Sequence, residues 1–251
     1  MPRISIAALI YRSTRFADSV WESLHEFTPE LHDLTSDVEF FFVANDAEPH
    51  LLKHLHWQDY PHVAHHNRRH SEEWLFAQGY AKPEYISRVY AGWNRAIMES
   101  DEICVLVNSD HLFSPGWLPE LLAPLLANDK LIVCSQSVEP PDCDFNGAWS
   151  MDFGRTPATF RKAEFLEYAA ANRQPGVMRS GGVYMPCAFY RKYAIGAGLY
   201  PEGNLHGGSY DKIAKSGDTA LFERMHERYG IEHVTAMGSI VYHFHEGEMR
   251  E

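Results

Sequence analysis

The chain has 251 residues, with 22 Lys plus Arg against 34 Asp plus Glu and a formal net charge of −12 at pH 7. Apolar residues at 45% and charged residues at 22% are globular values and exclude a largely disordered chain. No apolar run reaches the roughly 18 residues of a membrane-spanning helix, the acidic balance argues against a nucleic-acid face, and the N-terminus lacks a signal-peptide layout, so a soluble, cytoplasmic protein is expected.

Residues 4–10 are an apolar run that stops at Tyr11-Arg12-Ser13. Phe16, Val20, Leu24 and Phe27 then recur at helical spacing until Pro29. A second strand over 38–44 ends in the turn chemistry of Asn45-Asp46-Ala47-Glu48-Pro49. A short helix over 51–55 and a weak strand over 62–65 follow. Pro83 opens a helix carrying Ile86, Val89, Tyr90, Trp93 and Ile97 on one face. Residues 103–107 are wholly apolar, as a central parallel strand requires. A helix over 115–126 and a strand over 131–134 close this half. The alternation predicts an α/β fold, a mostly parallel sheet with helices on both faces. Such sheets bind ligands at the carboxyl ends of their strands, which points at Tyr11-Arg12, Asn45-Asp46 and Asn108-Ser109-Asp110.

The second half is irregular. Pro140-Pro141, Gly147, Gly154 and Pro157 interrupt it. A helix is expected over 163–171, an apolar segment from Gly181-Gly182 to Phe189, and a glycine-rich loop over 196–208. Gly217-Asp218 opens a further helix that Gly230 closes, and 239–244 is the last strand. Without a repeat or linker the chain reads as one domain, 1–251, with halves 1–134 and 135–251. Cys104, Cys134, Cys143 and Cys187 contain no Cys-x-x-Cys pair and are expected as reduced thiols.

Three places carry candidate chemistry. In Val107-Asn108-Ser109-Asp110-His111 a buried strand ends in polar groups, and a carboxylate on a rigid element suits a hard divalent cation. Asp110 as a cap for the following helix is the competing reading. In Tyr242-His243-Phe244-His245 the two imidazoles share one strand face and suit a metal such as Mn. In Ser216-Gly217-Asp218 the carboxylate is either a helix cap or a base for an acceptor hydroxyl. His50, His54, His56, His62, His65, His66 and His70 read first as a solvated, weakly basic surface, having no tight ligand pairs; the alternatives are a metal chelate of His50 and His54 at i and i+4 on a helix, and, with Arg68 and Arg69, a pH-sensitive patch for an anionic partner. For Phe145, Trp74, Tyr80 and Trp149 core packing is the first reading and sugar stacking the alternative, with Trp149 the best stacking candidate because it lies in the irregular segment where an acceptor would sit.

Taken in order, Tyr11-Arg12, Asn45-Asp46, Gly92-Trp93-Asn94-Arg95, Asn108-Ser109-Asp110, Gly217-Asp218 and His243 resemble the large inverting family of GT-A nucleotide-sugar glycosyltransferases. The resemblance implies a Rossmann-like nucleotide-binding half, 1–134, and an acceptor-binding half, 135–251. It puts Tyr11 and Arg12 near the nucleotide, Asp46 with Asn45 on a uracil-type base, and Asn94-Arg95 on the diphosphate part. Asn108 and Ser109 fall near the ribose, Asn108 replacing the usual first acid. Asp110 with His243 or His245 would hold Mn or Mg, Asp218 would be the general base, and Trp149, Gly181 and Gly182 would meet the acceptor. The implied reaction moves a hexose from a UDP-sugar to a glycan or small-molecule hydroxyl with inversion. The alternatives are a non-catalytic nucleotide- or metal-binding module and a sugar-nucleotide nucleotidyltransferase. The latter needs a glycine-rich phosphate loop that Tyr11-Arg12-Ser13-Thr14-Arg15 lacks.

Overall fold

The computed structural model describes residues 2–33, 35–81, 84–141 and 147–245. Its first elements are β1 (Ile4–Ile10), α1 (Thr14–Phe27), β2 (Val38–Asn45), α2 (Pro49–Trp57), β3 (His62–His65), α3 (Glu72–Ala77), β4 (Tyr80–Ala81), α4 (Glu84–Glu99), β5 (Ile103–Asn108), β6 (His111–Phe113), α5 (Trp117–Ala127) and β7 (Leu131–Glu139). They continue with β8 (Trp149–Ser150), α6 (Lys162–Asn172), β9 (Met178–Ser180), β10 (Cys187–Tyr190), α7 (Arg191–Gly196), β11 (Asn204–His206), β12 (Ile213–Lys215), α8 (Gly217–Tyr229) and β13 (Glu232–His243).

Ten strands form one sheet, in the order β3-β2-β1-β5-β10-β7-β13-β6, with β8 on β7 and β9 on β13. The β3, β2, β1 and β5 strands are mutually parallel, as are β7 and β13. The β10 strand runs antiparallel between β5 and β7, and β6 runs antiparallel to β13. The sheet is therefore mostly parallel in its first half and mixed in its second. A small sheet, β12-β11-β4, lies apart from it.

Apolar residues on both sides of each strand bring helices to both faces. Ile103, Val105 and Val107 of β5 join a core with α1, α2, α5 and α6, while Cys104 and Leu106 join a second core with α4, α7 and α8. Local signals set the helix ends. The Ser13 hydroxyl accepts from the Phe16 N–H and caps α1, and Gly230 closes α8 at φ +69°. Pro83, expected to open α4, lies outside the described residues, as do Cys143 and Phe145. Cys104, Cys134 and Cys187 are free thiols.

Four expectations need correction. The β7 strand runs on to Glu139, because Ser135, Gln136 and Ser137 are buried and satisfied: Ser135 Oγ lies 2.8 Å from Ser239 Oγ, and Gln136 Nε2 donates to the Gly147 carbonyl at 3.0 Å. Polar residues hid this stretch from a reading based on apolar runs. The β13 strand begins at Glu232 and carries an irregularity between Ala236 and Ile240. Residues 111–113, for which no element was expected, form β6. The loop 196–208 contains β11.

Candidate functional site

Side chains alternate along β5, so Asn108, in step with Cys104 and Leu106, falls on the α4 and α8 side. The turn after it is closed by the Asn108 N–H donating to His111 Nδ1 at 3.0 Å. The chain then returns as β6, which pairs His111 with His243 of β13. Between them Asp110 is 8% exposed, and its carbonyl accepts from the Phe244 N–H at 3.0 Å. Two distant segments are thus joined so that Asp110 Oδ1 stands 3.2 Å from His243 Nε2.

The other His243 nitrogen, Nδ1, lies 3.1 Å from Glu139 Oε1. Burial alone would lower the His243 imidazole, but Asp110 and then Glu139 outweigh it and raise the group to about 10. Glu139 is 3% exposed; its Oε1 also accepts from the Ser137 hydroxyl, and its Oε2 is buried with no hydrogen-bond partner. Ligand atoms of Glu139, His243 and His245 lie within 4.8 Å of one another. Cis ligands at about 2.1 Å from an octahedral cation stand about 3 Å apart, close to the Asp110–His243 spacing. Spacing, donor types and the orphaned Glu139 oxygen all fit a hard or borderline divalent cation. Burial, and then His243, hold His111 well below its ordinary 6.5. With Nδ1 accepting from Asn108, the neutral ring carries its proton on Nε2, a buried atom that has no partner.

Across the cavity α8 begins at Gly217. Its capping group is the Ser216 hydroxyl, which accepts from the Thr219 N–H. Asp218 is therefore in the first turn and is not the capping residue. The Gly217 N–H donates to the Tyr90 hydroxyl at 2.9 Å, and a Cβ at Gly217 would overlap the Tyr90 ring. That close approach brings Tyr90 Oη within 3.3 Å of Asp218 Oδ2 and 2.6 Å of Asn204 Oδ1. Burial raises the Asp218 carboxyl from 3.8 to about 6, against the lowering effect of the Tyr90 hydrogen bond.

One cavity of about 1030 Å³ is lined by Asn108, Asp110, His243, Asp218, Gly181 and Gly182, together with Glu139, His111, Arg179 and the Tyr85–Trp93 face of α4. Gly182 adopts φ +124°, and a Cβ there would collide with Thr235 Oγ1. Other expected site residues stand outside this cavity. The Tyr11 carbonyl accepts from the Glu48 N–H at 2.9 Å, and the Arg12 carbonyl lies 2.8 Å from His50 Nε2. Asn45 is turned to the Arg88 carbonyl, and Asp46 Oδ1 accepts from the Asn67 N–H. Asn94 holds the Tyr200 backbone through both amide atoms, at 3.0 and 2.8 Å. Arg95 pairs with Glu99 at 2.8 Å. Ser109 is half-buried in the turn before Asp110, and His245 follows β13 at φ +60°. Trp149 packs edge-on to Tyr168 beside the opposite core, which answers its apolar bulk without a sugar. His50 and His54 do not form a pair, because His54 binds Asp18 at 2.7 Å.

Glu139 and His111 went unnoticed in the sequence. Glu139 follows a polar run that hid its strand, while His111 directly follows Asp110, so strand exit was its one available signal.

No protein-family model matches the chain, and no curated protein matches it. Solved structures do. GalNAc-T7, solved with UDP, GalNAc and Mn2+, is 12% identical with a TM-score of 0.50 over 97% of this chain and 44% of its own. The mannosyltransferase PcManGT of Pyrobaculum calidifontis, in complex with GDP-Man and Mn2+, is 14% identical with a TM-score of 0.56 over 96% and 56%. S. aureus TarS 1–349 is 10% identical with a TM-score of 0.55 over 96% and 60%. This chain thus spans about half the length of these structures. At such identities the likeness is one of fold: the chain has the mostly parallel, Rossmann-like GT-A architecture of these glycosyltransferases. Among the described residues no helix is long and apolar enough to cross a membrane.

Proposed function

We propose that the chain is a metal-dependent glycosyltransferase that moves a sugar from a nucleotide diphosphate-sugar to an acceptor hydroxyl with inversion. The observation that carries this reading is that Asp110, His243 and Asp218, far apart in sequence, open onto one cavity large enough for a nucleotide sugar. GalNAc-T7 and PcManGT, of the same fold, are solved with Mn2+ and with UDP or GDP-Man, which supports a divalent cation and a nucleotide-linked donor here. UDP is the proposed nucleotide, the one in the GalNAc-T7 complex, and the acceptor is a glycan or small-molecule hydroxyl rather than a nucleic acid.

Asp110 and His243 would hold the cation, with His243 giving up a proton to do so. Such a cation neutralises charge that builds on a departing diphosphate. Glu139 accepts a hydrogen bond from the Nδ1–H of His243 and so leaves Nε2 facing Asp110. His111 lines the cavity as a neutral ring, and Arg179 brings positive charge to its wall. Asp218 takes the proton of the acceptor hydroxyl as that oxygen attacks the anomeric carbon; the bond to the diphosphate breaks on the opposite face, and the configuration inverts. General-base help of this kind contributes roughly 10²–10⁴-fold.

The test is incubation with UDP- and GDP-sugars, Mn2+ and a panel of hydroxyl acceptors, with product stereochemistry read by proton NMR. Wild type should give an inverted glycoside and Asp218→Asn should lose transfer while keeping donor binding. Donor binding without turnover in the wild type would instead favour a non-catalytic module.

A further inference from the structure

Beside the first turn of α4, on the side away from the large cavity, is a second recess of about 100 Å³ lined by Arg68, Arg69, His70, Ser87 and Arg88. Its lining contains three permanent positive charges and, among the described residues, no carboxylate. Among the described residues neither Arg68 nor Arg88 has an ion-pair partner, and the Ser87 hydroxyl, on a residue 8% exposed, has no hydrogen-bond partner. Arg69 meets Asp46 Oδ2 only at 3.8 Å. His70 stacks on Trp74 at 3.8 Å and lies 3.8 Å from Glu202.

The walls of this recess are held in place. The buried Asn45 donates through Nδ2 to the Arg88 carbonyl at 3.1 Å and accepts from Asn67 Nδ2 at 2.6 Å, while the Asn67 N–H donates to Asp46 Oδ1 at 3.1 Å. One side chain at the end of β2 therefore fastens both the loop bearing Arg68–His70 and the helix turn bearing Ser87 and Arg88. The positive end of the helix dipole adds to this charge. Like charges brought together this way repel unless an anion sits between them. Water occupies about 30 Å³ in the liquid, so the recess admits one tetrahedral oxyanion and excludes a nucleotide.

We propose that this recess binds a single phosphate- or sulfate-type oxyanion, separately from the cavity that holds Asp110 and Asp218. The Ser87 hydroxyl and the Arg68 and Arg88 guanidiniums donate to its oxygens, with Arg69 and His70 closing the charge around it. Nothing in this site depends on the glycosyltransferase reading.

Calorimetric titration with inorganic phosphate and with sulfate, in EDTA and at low salt, tests the proposal without loading any metal. Wild type should bind one ion and weaken as NaCl is raised. Arg88→Gln and Arg68→Gln should each lower affinity about tenfold, as the loss of a charge-assisted bond does, while Asp110→Asn should stay within about twofold of wild type. Arg68 lies on an exposed loop, so its variant keeps the test valid even if Arg88→Gln disturbs α4. A sugar phosphate and a sugar sulfate titrated alongside separate the sources: tighter binding than the bare ion, lost in both Arg variants, assigns the oxyanion to a substrate, and equal binding assigns it to the free ion. The proposal is overturned if wild type shows no saturable binding, or if both Arg variants bind as wild type does.

Discussion

Protonating Asp218 should stop transfer, and the pH at which this happens follows from its surroundings. Burial at the cavity wall raises its carboxyl from 3.8 to about 6. A base with that pKa is about nine-tenths ionised at pH 7 and about one-tenth ionised at pH 5, so kcat/KM should fall about tenfold across the interval. A carboxylate at its ordinary value would still be about nine-tenths ionised at pH 5 and would lose almost nothing. The sign is that of a base: activity is present above the raised pKa and lost as pH falls through it. The neighbouring phenols do not titrate in this range, since burial and the Asp218 charge push both Tyr90 and Tyr200 above the ordinary 10. The assay is initial rate against pH at low acceptor, with donor and Mn2+ saturating at every pH so that proton competition at His243 does not contribute. A profile flat from pH 5 to 7, or an Asp218→Asn variant with wild-type transfer, refutes the assignment.

Glu139→Gln keeps an acceptor for His243 Nδ1 but removes the charge, and should weaken Mn2+ binding about 10–100-fold, as loss of an orienting carboxylate does, read by electron paramagnetic resonance. Gly217→Ala should destabilise by about 1–3 kcal/mol, because its Cβ would displace the Tyr90 ring; thermal unfolding measures this. Asn94→Ala removes two hydrogen bonds to the Tyr200 backbone and should cost about 1–3 kcal/mol of stability with donor KM unchanged. A raised donor KM at full stability would return Asn94 to the diphosphate.

What was legible in the sequence follows its apolar patterning. The strands β1, β2 and β5 were readable because residues on both of their faces are apolar, and α1 and α8 because Ser13, Pro29 and Gly230 mark their ends. The second half resisted for a physical reason. In β7, Ser135 to Ser137 are buried but paired with other polar groups, so hydrogen bonding replaced hydrophobicity as the stabilising term and the apolar pattern vanished. Glu139 was lost with it. At the site, Asp110, Asp218 and His243 stood out because each is a reactive side chain at the end of a readable element. Asn94 and Trp149 have equally suggestive chemistry in sequence, and only tertiary contacts, with the Tyr200 backbone and with Tyr168, reveal what those side chains touch. Arg68 and Arg69 were legible as part of a patch for an anionic partner, but the wall formed by Ser87 and Arg88 was not, since Asn45 from a third element brings the two together.

The central claim is that one cavity holds the cation, the donor and the base. Crystals grown with Mn2+ and UDP, measured at the Mn absorption edge, test it most directly. The account predicts an anomalous peak bonded to Asp110 and His243, with the diphosphate beside it and Asp218 facing the open space beyond. A Mn2+ peak away from both residues, or a nucleotide bound outside this cavity, would contradict it.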